Sequence, residues 1–128
     1  MKKLIAAFVL FFLVTVFVVA CTGSTDGASS GGNDVHMREI NFAQSSITIS
    51  KGGSINLLSD TGVAHIISNG MWVNNTPEPK TEPGAPVVNN LMFNNAGQSQ
   101  VVGPFNTAGT FHLYCSVHDG MNLKVIVK

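Results

Sequence analysis

The sequence predicts an all-β domain over residues 35–128, built as an antiparallel β-sandwich. Two observations carry that expectation. Apolar residues recur at every second position in short runs, and no segment shows helical spacing. Breaks rich in Gly, Asn and Pro separate the runs at intervals that suit short strands joined by turns.

Taken in order, "SITIS" sets Ile47 and Ile49 on one face, and Lys51, Gly52 and Gly53 supply a turn. "INLL" resumes a strand, and "VAHIIS" aligns Val63, His65 and Ile67 on one face. Residues 69–90 show no period, hold four of the five prolines and read as a long surface excursion. Strand patterns return at "LMF", at "QVV" and at "TFHLYC". The last is "NLKVIVK", where Leu123, Val125 and Val127 alternate with Asn122, Lys124 and Lys128.

The amino-terminal segment has a different character. Lys2 and Lys3 precede an apolar run over residues 4–20, interrupted only by Thr15. A charged head followed by an apolar stretch is the pattern of a signal peptide, here residues 1–20. The run ends at "VVAC", Val18 to Cys21, which resembles the lipobox of bacterial lipoproteins. That resemblance implies cleavage before Cys21 and a diacylglycerol on its sulfur. Residues 22–34 contain no apolar residue larger than Ala, so residues 21–34 are expected to form a flexible lipidated tether. A leader retained as an uncleaved anchor, or plain secretion, is the alternative. In every case the domain faces an extracytoplasmic space, and the lipid on Cys21 would anchor it to a bacterial membrane, on the periplasmic or outer cell-surface side.

The formal charge is +0, and loss of Lys2 and Lys3 would leave five basic and seven acidic residues. With no basic cluster, a nucleic-acid partner is not expected. Two cysteines in an exported chain would ordinarily suggest a disulfide. A lipid on Cys21 would instead leave Cys115 as a lone thiol that needs an explanation.

The parity of "TFHLYC" puts Phe111, Leu113 and Cys115 on the core face, and His112 and Tyr114 on the other. Cys115 then ends a strand at the rim of the sandwich. The chain turns through "SVHDG", where Asp119-Gly120 is a strong turn dipeptide, and returns at Met121. One tight loop thus presents a thiol, an imidazole and a thioether. His65, alone among apolar neighbours on its strand face, is the candidate for a fourth donor. Soft sulfur with imidazole selects copper over magnesium, calcium or manganese, and two His, one Cys and a weak axial Met form a blue-copper set. Taken singly, a buried Cys is more often a small hydrophobe, and a Met beside a turn or a His in a core is more often packing. It is their joint occurrence that points to a metal. Met37, Met71 and Met92 are expected to pack, His36 and His112 to be solvated or weakly paired, and Trp72 is a candidate wall of the site.

From about Met37 to Lys128 the sequence resembles the cupredoxins, the plastocyanin and amicyanin group. The matching residues are His65 in "GVAHIIS" and the run "GTFHLYCSVHDGM", with the short Cys-x-x-His-x-x-Met spacing of amicyanin-like proteins. The resemblance implies a Greek-key sandwich of about eight strands, with one type I copper near one end held by His65, Cys115, His118 and Met121. It also implies a His118 edge near the surface, beside an apolar patch to which Val117 and Gly120 could contribute. Many members carry Asn directly after the first histidine, where this chain has Ile66.

The expected function is that of a membrane-tethered one-electron carrier rather than an enzyme. Its partners would be redox proteins acting as donor and acceptor, membrane respiratory components among them, and the chain would be a monomer. Extracytoplasmic copper storage or delivery is the competing reading. A Cys/His nucleophilic enzyme is a third, for which no further catalytic residue is evident.

Overall fold

The computed structural model describes residues 32–128. The signal peptide, Cys21 and all of the tether before residue 32 lie outside the described residues. Nine strands form two sheets, and no helix occurs among the described residues. In chain order they are β1 (Asp34–Met37), β2 (Ser46–Ile49), β3 (Ile55–Ser59), β4 (His65–Val73), β5 (Thr76–Pro79), β6 (Leu91–Phe93), β7 (Ser99–Val102), β8 (Gly109–Cys115) and β9 (Asn122–Val127). One sheet has the order β1-β3-β7. The other runs β2-β9-β8-β4-β5, with β6 also paired to β4.

Alternation builds the core between the sheets. Val35 and Met37, Ile55 and Leu57, Leu113 and Cys115, and Leu123, Val125 and Val127 all turn inward and are buried. Burying each such side chain is worth about 1.5–3 kcal/mol. Two pairings are parallel, β1 with β3 and β2 with β9, and the rest are antiparallel. A parallel neighbour cannot be reached by a tight hairpin. Here the chain reaches it by crossing to the opposite sheet and back, as β2 does between β1 and β3.

The expected excursion at residues 69–90 is more ordered than its composition suggests. β4 continues to Val73, turns at Asn74 and Asn75, both at positive φ (50° and 60°), and pairs back as β5. Asn tolerates this left-handed conformation better than most residues, so the pair makes a two-residue hairpin turn. Gly70 permits the close approach of the two strands: a Cβ there would lie 2.3 Å from the Glu78 carbonyl oxygen. The remaining loop is tied down by buried Asn69. Its Oδ1 accepts from the Val88 N–H at 2.6 Å, and its Nδ2 donates to the Pro86 carbonyl at 3.2 Å. At the other boundary, Asp34 already belongs to β1, one residue inside the span expected to be tether.

Candidate metal centre

The site lies at the end of the sandwich where β8 stops and β4 begins. The register pairs Ile67 of β4 with Cys115 of β8. His65 is two residues from Ile67, so it shares that strand's inward face and sits beside the thiol at the sheet's end. Pairing of His65 with Phe93 on β6 closes the other flank. His65 and Cys115 are both fully buried.

Residues 116–120 form the loop that brings in the other groups. The Ser116 N–H donates to the Ile66 carbonyl at 2.9 Å, the Cys115 N–H to the Met121 carbonyl at 3.0 Å, and the Met121 N–H to the His118 carbonyl at 3.2 Å. Gly120 takes φ +74°, the left-handed conformation this turn requires. Ile66, the departure noted in the sequence, contributes its main-chain carbonyl, which ties the ligand loop to β4.

Both imidazoles turn Nδ1 toward the sulfur. His118 Nδ1 lies 3.4 Å and His65 Nδ1 3.8 Å from Cys115 Sγ. The two rings meet edge-on, with centroids 5.0 Å apart. Each of the three residues offers a donor atom within 4.8 Å of the others. Donors that share an ion bound at about 2.0–2.3 Å stand roughly 3–4 Å apart, so the spacing fits a single metal. Met121 is buried next to them, 2 % exposed, and its backbone is fixed to Cys115 and His118.

Electrostatics favour the unprotonated ligand. Burial, and then the neighbouring His118, push the His65 pKa below its usual 6.5, and the Arg38 backbone opposes this only in part. Neutral imidazole is the form that binds metal. Its Nε2 is buried without a hydrogen-bond partner among the described residues. His118 is only half-buried, with Val117 and Gly120 exposed beside it.

The other histidines lie apart from the site and are paired more firmly than expected. His36 Nδ1 is 2.6 Å from Asp60 Oδ1, and His112 Nδ1 is 2.7 Å from Glu82 Oε1. Met37 packs in the core as expected, whereas Met92 is 52 % exposed and Met71 half-buried. Tyr114 does face away from the core, yet it is buried, because Trp72 packs edge-on against it at 6.3 Å. Trp72 reaches the site indirectly: its Nε1 donates to the Cys115 carbonyl at 2.8 Å. Sequence reasoning did not single out Asn122, whose amide accepts from the Trp72 N–H at 2.7 Å and donates to the Trp72 carbonyl at 3.1 Å. Its place directly after Met121 was the available signal.

Comparison with known proteins agrees with this geometry. Over 75–77 % of its length the chain is similar in structure to amicyanin from Paracoccus versutus and to a purple cupredoxin from Nitrosopumilus maritimus. Identity to amicyanin is 19 %, with a TM-score of 0.58 and 83 % of that chain covered. For the purple cupredoxin the values are 18 %, 0.57 and 99 %. No curated protein sequence matches the chain. The model of the copper-binding proteins of the plastocyanin/azurin family matches residues 30–128, most of the chain, and to that family the chain belongs.

Proposed function

We propose that the protein is a one-electron carrier, with a single type I copper held by His65, Cys115, His118 and Met121. The observation that carries this reading is the convergence of two imidazole Nδ1 atoms on one buried thiol. Copper bound there supplies a Cu(II)/Cu(I) couple. The soft thiolate and thioether suit the reduced ion, and the two imidazoles suit both states. Cys115 and His65 lie on strands of one sheet, and three main-chain hydrogen bonds brace the loop that carries His118 and Met121, so little rearrangement accompanies a change of charge. His118, half-buried beside exposed Val117, is the edge through which an electron would pass to a partner. A small apolar contact with little charge suits brief docking by redox proteins, where rapid release matters more than affinity.

The leader supports a location. With residues 1–20 removed and a lipid on Cys21, the domain would be tethered to the extracytoplasmic face of a bacterial membrane, within reach of membrane respiratory components. A monomer suffices for this role.

Storage or delivery of copper would require the ion to leave. Opening the loop would disturb β8 and β9 and their buried side chains, so release is expected to be slow. The test is a comparison of rates. NMR line broadening in mixtures of Cu(I) and Cu(II) protein gives electron self-exchange, and a competing chelator gives copper loss. Carrier function predicts exchange far faster than loss, and the reverse order supports storage or delivery.

A further inference from the structure

The main chain around the thiol has one hydrogen bond too few for a regular hairpin. In an antiparallel ladder, a hydrogen-bonded pair exchanges two N–H···O bonds. The Cys115 N–H does donate to the Met121 carbonyl, but the Met121 N–H turns to the His118 carbonyl, the bond that shapes the ligand loop. The Cys115 carbonyl is thereby left without its ladder donor, and a buried carbonyl without a partner is costly.

Trp72 fills this gap. Its indole Nε1 donates to the Cys115 carbonyl at 2.8 Å across 43 residues of sequence. The indole is itself restrained. The Asn122 side chain pairs with both main-chain groups of Trp72, as another strand would, and Tyr114 meets the ring edge-on at 84°. Asn122 follows Met121 and Tyr114 precedes Cys115, so this clamp grips both ends of the ligand loop from the outer face of the sheet.

We propose that Trp72, held by Asn122, is a positioning residue for the copper thiolate. It fixes the peptide plane that follows Cys115 and so limits how far the sulfur can swing when the ion changes charge. Groups that orient a ligand without touching the metal commonly tune a site in this way. The inference rests on the copper reading above, and its test has a metal-free arm for that reason.

In the metal-free full chain, amide hydrogen exchange would be measured at Ser116, which shares the peptide held by Trp72, and at Val125 in the core. Trp72→Phe is expected to speed exchange at Ser116 about fivefold and to leave Val125 unchanged, the effect of losing one local hydrogen bond. Should Trp72→Phe fail to fold, 3-benzothienylalanine at position 72 removes the N–H and keeps the ring's shape. In the copper-loaded chain either change is expected to shift the thiolate-to-copper absorption band and the EPR hyperfine splitting. Asn122→Ala should shift both in the same direction, and the double variant with Trp72→Phe should go no further, since the two residues act as one unit. Unaltered Ser116 exchange with an unshifted spectrum would overturn the proposal. So would equal acceleration at Ser116 and Val125, which would mark the bond as general stabilisation. Failure of the copper reading would show separately, as a wild type without the thiolate band.

Discussion

The Cys115 N–H donates to the Met121 carbonyl at 3.0 Å, so the first and last sulfur-bearing residues of the loop are tied together through their main chains. The histidine between them is held by the same turn, because its carbonyl accepts from the Met121 N–H. Three donor groups therefore depend on one hairpin, and neighbouring β4 supplies the fourth. This arrangement leads to specific expectations.

Met121 should tune the site rather than create it. A thioether on the axis binds weakly, and its loss leaves the thiolate and both imidazoles in place. Met121→Leu is expected to keep the colour and raise the reduction potential, since losing a donor disfavours Cu(II) more than Cu(I). A shift of about 60 mV corresponds to a tenfold change in a one-electron equilibrium. Met121→Gln should lower the potential, its amide oxygen being a harder donor. Protein-film voltammetry on the two variants decides the matter, and identical potentials would place Met121 away from the metal.

Acid should weaken the metal-free domain through His65. Its folded-state pKa lies below the usual 6.5, so folding favours the neutral ring. The resulting contribution to stability is complete above 6.5 and is lost as pH falls toward the folded-state value. Urea unfolding of the metal-free protein between pH 7.5 and 5 should show a steeper loss for the wild type than for His65→Leu. Parallel curves would contradict the assignment.

Asn69 should matter for stability and not for copper. Asn69→Ala leaves the Val88 N–H and the Pro86 carbonyl without their partner, at a cost of about 1–3 kcal/mol. Denaturant titration should register this loss while the visible spectrum stays that of the wild type.

The anchor is tested in cells. Labelling with a fatty acid should mark the wild type and leave Cys21→Ala unmarked. Equal labelling of both would place the lipid elsewhere or nowhere on this cysteine.

Much of the domain was legible because its signals are local. Alternation in β8 and β9 gave the inward face directly, and the Cys115, His118 and Met121 spacing lies within one turn. His65 was legible as the polar member of an apolar face. The hairpin of β4 and β5 was hidden for a physical reason. β5 is exposed along its whole length and carries Pro77 and Pro79, so it has no alternation to read, and prolines are tolerated there because it is an edge strand. The Asn74-Asn75 pair was its one signal. Burial of Tyr114 could not be read from parity, which assigns a face but not what covers it. That cover is Trp72, brought over by the hairpin and fixed by Asn122. The parallel pairing of β1 with β3 depends on a crossover through the other sheet, and no short sequence window records such a relationship.

The most direct test of the account is the visible and EPR spectrum of the protein loaded with Cu(II), alongside Cys115→Ser. An intense thiolate-to-copper absorption that bleaches on reduction is expected in the wild type, because Cys115 Sγ lies within 3.8 Å of the Nδ1 atoms of both His65 and His118. It should be absent in Cys115→Ser, whose hydroxyl cannot supply a soft donor. A wild type that binds Cu(II) without that band, or a Cys115→Ser protein that keeps it, would contradict the assignment of this site.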